Sequence, residues 1–287
     1  MRRRSLLLAS LAMSATLPAL PASAADRVLT TSDGVRLHLL DQGPPAARPM
    51  LFVPGWTMPG WIFRPQLDAF MQRWRVVALD PRGQGTSDIP QTGYEHVRRG
   101  QDVAETVAAL GPQPVVLVAW SLGVLDCLAY IAAHGDRDVA ALVLIDNSIG
   151  EYPPPVATGP RLRSRVPRLA HEEQMARFVR GMFRFPHGEA YLDALTRASL
   201  RTPPEAAALL LNYPVPRSYW RDAVLSVRKP LLYVVTPRFA GQAQSLAADS
   251  PTAETAVVDG LGHALFVDDA AGFNALLGNF LTRRVPA

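Results

Sequence analysis

A serine that follows an apolar run is the first residue of this sequence with a clear chemical interpretation. Residues 114–119 have the composition of a strand buried on both faces, and a helical pattern begins at Leu122, so Ser121 lies at a sharp strand-to-helix turn. Small residues, Ala119 and Gly123, occupy the two positions where such a turn crowds the backbone. The turn would expose the hydroxyl and direct a helix N-terminus at it, which favours a nucleophile over a serine that only caps the helix.

A histidine near the end of the chain is suited to be the base that such a serine needs. His263 follows the last predicted strand and lies in the glycine-rich segment 260–263, ahead of the final predicted helix. A loop position lets an imidazole reach over the strand ends, where it would take the proton of Ser121. The other five histidines lie in no such context and are interpreted as surface or packing residues. No His/Cys group has the spacing of metal ligands, so we expect neither a metal nor a cofactor.

Four segments together resemble the α/β-hydrolase family, and within it the serine esterase, perhydrolase and lactonase branches. They are the serine turn, the loop 52–56, the turn 80–88 and the histidine loop 260–263. The similarity runs from about residue 35 to residue 281, with an interruption by a helical insertion. It implies an α/β fold with a mostly parallel central sheet, flanking helices and a helical cap over the strand ends.

The resemblance also implies how the reaction's negative charge would be stabilised. Loop 52–56 resembles the family's oxyanion loop, so the backbone N–H groups of Trp56 and Leu122 are the expected donors. Pro54 departs from the His-Gly that this family more often has there. Trp56 and Trp120 each adjoin a reacting group and are the predicted substrate-binding side chains, facing an apolar acyl part of the substrate.

The acid that would orient the histidine has two candidates. In much of this family an aspartate follows the strand before the histidine, but residues 236–242 contain no carboxylate. Asp146 comes directly after the predicted strand 139–145, where certain family members carry their acid, and it is the preferred candidate. Asp249 comes later, within or after the next helix, and stays the alternative; Asp146 itself could instead serve as a turn or helix cap.

These residues predict a serine hydrolase that cleaves carboxylic esters through an acyl-enzyme on Ser121, with His263 as general base and Asp146 as orienting acid. Perhydrolysis, lactone opening and acyl transfer share that intermediate and stay open. A non-catalytic binding protein on the same fold is the alternative of a different class. A serine at this turn argues against haloalkane dehalogenases and epoxide hydrolases, which the family builds with aspartate there.

The elements that must position these residues follow the alternation of strands and helices typical of a parallel sheet. Strands are predicted at 35–40, 50–53, 75–79, 114–119, 139–145, 231–235 and 256–258. Helices are predicted at 63–72, 100–110, 122–133, 172–183, 206–211 and 270–281. Strand patterns vanish between 150 and 213, which predicts a hydrolase core at 25–149 and 214–287 with a helical cap at 150–213.

The N-terminal residues are typical of an export signal. Three arginines precede an apolar stretch too short for a comfortable membrane span, and Ala22-Ser23-Ala24 is a small-residue cleavage site. Cleavage after Ala24 would deliver the protein to the periplasm or medium without stable membrane insertion, and an uncleaved membrane anchor is the alternative. The signal carries three arginines and no acidic residue, so its loss lowers the formal charge from +4 to +1. A net charge this small does not indicate a nucleic-acid partner. The single cysteine, Cys127, permits no intramolecular disulfide.

Overall fold

A single eight-stranded sheet forms the centre of the computed structural model, which describes residues 25–150 and 170–285. The predicted signal, 1–24, and the first part of the predicted cap, 151–169, lie outside the described residues. The strands are β1 (Ala25–Thr30), β2 (Arg36–Gln42), β3 (Pro49–Val53), β4 (Arg75–Asp80), β5 (Val115–Trp120), β6 (Val139–Ile145), β7 (Leu231–Val235) and β8 (Ala253–Val257). Their order across the sheet is β1-β2-β4-β3-β5-β6-β7-β8.

The six strands from β3 to β8 run parallel, while β1 and β2 join the edge antiparallel. The carboxyl ends of the parallel strands therefore meet at one edge, where an open α/β sheet places its binding crevice. Every residue of β5 is buried. Leu117 packs into the core layer on one face of the sheet and Val118 into the layer on the other, as expected for a strand covered on both sides.

Ten α-helices are assigned in the described residues. They are α1 (Arg64–Phe70), α2 (His96–Ala109), α3 (Leu122–His134), α4 (His171–Gly181), α5 (Glu189–Leu200), α6 (Pro204–Leu210), α7 (Arg217–Ser226), α8 (Ala240–Asp249), α9 (Leu265–Asp268) and α10 (Ala270–Arg284). The predictions for β6 and β7 are confirmed to the residue. The edge strand β1 and the helices α5, α7, α8 and α9 were not among the predicted ranges. The strand predicted at 256–258 is found as β8 at Ala253–Val257. No helix in these ranges has the length and apolar character needed to cross a membrane.

Helices α4, α5 and α6 contact loops at the carboxyl end of the sheet. Met182, just after α4, accepts a hydrogen bond from Ala264 N at 2.9 Å, and Ala207 of α6 accepts one from the Trp56 indole at 2.7 Å. Met175 and Val179 form the buried side of α4. These helices thus lie at the same end of the sheet as Ser121.

Candidate active site

Ser121 and Asp146 lie side by side because they follow neighbouring parallel strands in register. Trp120, the last residue of β5, is paired with Ile145, the last residue of β6. The Ser121 N–H continues this ladder by donating to the Ile145 carbonyl at 3.0 Å, and the Asn147 amide donates to the Ser121 carbonyl at 2.6 Å. The sheet itself therefore sets the spacing between the serine and the aspartate.

The backbone at Ser121 is forced into a region that L-residues rarely occupy, with φ 54° and ψ −121°. Gly123 shows why small residues are needed here, since a Cβ at this position would lie 2.3 Å from the Val53 carbonyl oxygen. The close approach of α3 to the loop after β3 brings Gly55 beside the serine. A Cβ on Gly55 would lie 3.3 Å from Ser121 Oγ.

His263 completes a series of hydrogen bonds with these two residues. Its Nε2 lies 2.9 Å from Ser121 Oγ, and its Nδ1 lies 2.7 Å from Asp146 Oδ2. The histidine side chain is 33% exposed, whereas that of Asp146 is 4% exposed. This series of hydrogen bonds can thus pass a proton from the partly accessible hydroxyl of Ser121 to the ring of His263, which the buried carboxylate of Asp146 holds in place.

The surroundings of Asp146 favour its ionised form. Burial alone would raise the pKa of its carboxyl, but hydrogen bonds from His263 and from the N–H and hydroxyl of Thr236 outweigh burial, so the pKa lies below its ordinary value of 3.8. Thr236 was not identified from the sequence as a functional residue. Its position directly after β7, where a carboxylate was sought and not found, was the available signal.

The alternative acid, Asp249, lies at the end of α8 and forms a salt bridge with Arg221. Its side chain is 46% exposed and makes no contact with His263. The structure therefore brings Asp146, and not Asp249, to the histidine.

Of the two predicted oxyanion donors, Leu122 follows the serine in the chain, and Trp56 belongs to the loop after β3, which lies beside the serine in space. Leu122 N belongs to the first residue of α3, and Trp56 N follows Gly55. Within residues 25–150 and 170–285, neither N–H donates to another protein atom. Among the described residues both N–H groups thus lack a competing acceptor, as a donor to a negatively charged oxygen at Ser121 would require.

The two predicted substrate-binding tryptophans differ in their surroundings. Trp56 is partly buried, and its ring meets that of Phe178 edge-to-face with 4.9 Å between centroids. Trp120 is 1% exposed, and its indole donates to the His263 carbonyl at 2.9 Å. The substrate-contact role of Trp120 stays a prediction; its ring lies in the core beside His263 and Phe266 and supports the histidine loop.

No group of three or more His, Cys, Asp or Glu side chains in the described ranges is arranged to hold a metal ion.

The comparisons with known proteins all point to one family. A model of the alpha/beta hydrolase family matches residues 50–276. A non-heme haloperoxidase of Rhodococcus erythropolis is 37% identical over 127 residues, covering 44% of this chain and 44% of that protein. The bifunctional esterase/perhydrolase DCH of Acinetobacter calcoaceticus is 36% identical over 118 residues, covering 41% of this chain and 43% of that protein. The chain thus aligns with less than half the length of these relatives.

A solved structure extends the similarity over most of the chain. The esterase RhEst1 from Rhodococcus sp. ECU1013 superposes with a TM-score of 0.74 and 26% identity. The superposition covers 90% of this chain and 98% of that one. The fold of this chain therefore has a counterpart in an esterase that covers most of its length.

Proposed function

Because the chain belongs to the alpha/beta hydrolase family, we propose that it is a serine hydrolase that cleaves carboxylic esters. The observation that supports this most is the hydrogen-bonded series Ser121–His263–Asp146, with 2.9 Å and 2.7 Å between the paired atoms. A hydroxyl is a weak nucleophile on its own, and a histidine at this distance is the usual means of activating it.

In the proposed reaction, His263 Nε2 takes the Ser121 proton as Oγ attacks the ester carbonyl. The carbonyl oxygen becomes an oxyanion and is bound by the N–H groups of Trp56 and Leu122. The protonated histidine then gives its proton to the departing alcohol, which leaves an acyl group on Ser121. A water molecule, deprotonated by His263, attacks that acyl group, and the histidine returns the proton to Ser121 Oγ as the bond to the serine breaks and the acid is released. Asp146 holds the ring orientation and stabilises the imidazolium throughout.

Trp56 is the side chain best placed to contact an apolar acyl part of the substrate. It follows Gly55, whose backbone lies beside Ser121, and it stays partly exposed after packing against Phe178. An aromatic ring at this position favours apolar over charged acyl groups. The acyl preference would be measured with p-nitrophenyl esters of graded chain length.

The names of two relatives favour perhydrolysis as a second candidate activity. One is a bifunctional esterase/perhydrolase and the other a non-heme haloperoxidase. Hydrogen peroxide in place of water would release the acyl group as a peracid from the same acyl-enzyme. Peracid formation from acetate and peroxide, followed through bromide oxidation, tests this candidate.

Labelling by a fluorophosphonate, followed by peptide mapping, separates a serine hydrolase from a non-catalytic binding protein. We expect one labelled residue, Ser121, and loss of both labelling and ester hydrolysis in Ser121→Ala. Ser226→Ala is a matched control, since this serine only caps a helical turn by donating to the Ala223 carbonyl at 2.8 Å. A folded Ser121→Ala variant that still hydrolyses the ester would refute the proposal.

We further propose that the protein is exported and that its signal is removed after Ala24. This rests on the sequence of residues 1–24 alone. N-terminal sequencing of the protein recovered from the periplasm or medium should begin at Ala25, and recovery of an uncleaved chain from the membrane would contradict it.

A further inference from the structure

A turn with an unusual backbone lies between the sheet and the predicted oxyanion site. Residues 55–58 form this turn, in which Met58 N donates to the Gly55 carbonyl at 3.2 Å. Its third residue, Thr57, is fully buried and has φ 58°. A β-branched residue is a genuine outlier in this left-handed region, and such a conformation persists only when its surroundings enforce it.

Two polar contacts enforce the conformation of Thr57. Its N–H donates to Gln84 Oε1 at 2.5 Å, and its hydroxyl lies 2.6 Å from the hydroxyl of Ser199. Gln84 and Ser199 are each 1% exposed, so neither contact competes with bulk water. Gln84 belongs to the loop after β4 and Ser199 to α5, so two separate segments hold one residue.

The turn determines the direction of the Trp56 N–H. In a trans peptide the carbonyl of one residue and the N–H of the next point in opposite directions. Because the Gly55 carbonyl faces Met58 inside the turn, the Trp56 N–H faces outward. Gly55 lies next to the nucleophile, since its added Cβ would be 2.9 Å from Ser121 Cβ. The outward N–H is therefore presented beside Ser121 only while the turn keeps this shape.

We propose that Gln84 and Ser199 are positioning residues for the oxyanion site. Both act through Thr57, whose left-handed backbone they hold so that the Trp56 N–H stays directed at the oxygen that becomes charged. The inference rests on the proposed serine-hydrolase function and adds two residues that touch neither substrate nor reacting atoms. It also makes α5 necessary for turnover as well as for packing.

The test compares Gln84→Met, which keeps the side-chain length and removes the acceptor, with Gln84→Met/Thr57→Gly. Glycine adopts a positive φ without strain, so it needs no acceptor to hold the turn. Turnover and KM are measured on a p-nitrophenyl ester, together with the affinity for a trifluoromethyl ketone, which forms a charged tetrahedral adduct with the serine. Gln42→Met is the matched control, because Gln42 is a buried glutamine at the opposite end of the sheet.

For Gln84→Met we expect kcat to fall about ten- to a hundredfold, as for other small misplacements of a catalytic group. KM should change less than about threefold, and the ketone affinity should fall by the same factor as kcat/KM. The double variant should regain about tenfold in kcat, which a merely structural role of Gln84 would not produce. Gln42→Met should keep the wild-type values.

Unchanged kcat in folded Gln84→Met, or a double variant no faster than the single one, would overturn the positioning role. If Gln84→Met does not fold, Ser199→Ala is used instead. We expect its kcat to be three- to tenfold lower at unchanged KM, which corresponds to the loss of about one hydrogen bond. An unchanged kcat in this variant would overturn the inference. If Ser121 of the wild-type protein is labelled but Gln84→Met keeps the wild-type kcat, this inference is refuted and the proposed function stands. A wild-type protein that is neither labelled nor active would refute the proposed function as well.

Discussion

Thr236 binds one oxygen of the Asp146 carboxylate through two hydrogen bonds. Its N–H donates to Asp146 Oδ1 at 2.8 Å and its hydroxyl at 2.7 Å. The other oxygen, Oδ2, is thereby turned toward His263 Nδ1. The loop after β7, which lacks a carboxylate of its own, thus orients the carboxylate that the neighbouring strand provides.

Asp146→Asn should lower turnover by about four orders of magnitude, as the equivalent change does in other Ser-His-Asp sites. The amide can donate to the histidine ring, which would favour the wrong tautomer, and it cannot stabilise an imidazolium. Turnover on a short-chain ester, with thermal melts to check folding, measures this effect. Asp249→Asn is the matched control and should stay near wild-type, because Asp249 pairs with Arg221 at an exposed position. An active Asp146→Asn and an inactive Asp249→Asn would reverse the assignment.

Thr236→Val removes the hydroxyl donor to Asp146 and keeps the backbone donor. We expect kcat to fall about tenfold and the free energy of unfolding at pH 7 to fall by about 1–2 kcal/mol, because a hydrogen bond to a buried charged group is lost. Thr282→Val is the control, since its hydroxyl binds only the Gly278 carbonyl on an exposed helix face.

The stability difference between wild type and Thr236→Val should depend on pH. The pKa of Asp146 is lowered in the folded protein, so its contribution is complete above 3.8 and is lost as the pH falls through the folded-state value. The valine variant returns the folded pKa toward 3.8, so the two proteins should converge in stability as the pH is lowered toward 3. Urea unfolding at pH 7, 5 and 3 measures this, and a difference that stays constant would contradict it.

Ser121→Gly and Ser121→Ala should both be inactive but should differ in stability. Position 121 has φ 54°, which costs an L-residue about 1–3 kcal/mol and glycine almost nothing. We therefore expect Ser121→Gly to unfold at a higher temperature than Ser121→Ala. Equal melting temperatures would mean that the backbone strain is relieved in the alanine variant.

The serine, the histidine and their supporting strands could be identified from the sequence because their signals are local. A strand covered on both faces is a continuous apolar run, and a sharp turn after it requires small residues, which Ala119 and Gly123 provide. The glycines ahead of His263 mark its loop in the same way. Chain order alone was therefore enough to predict these parts and the parallel sheet between them.

Only the tertiary structure places Asp146 rather than Asp249 beside His263, because that position depends on which strands are neighbours and on what else each carboxylate binds. The same holds for Trp120, which adjoins the nucleophile in the chain but turns into the core because alternate residues of a strand face opposite sides. The contacts of Thr57 with Gln84 and Ser199 join three distant segments and leave no local pattern. Local periodicity reports the environment along one element, whereas the partner of a buried polar group is set by how the elements pack.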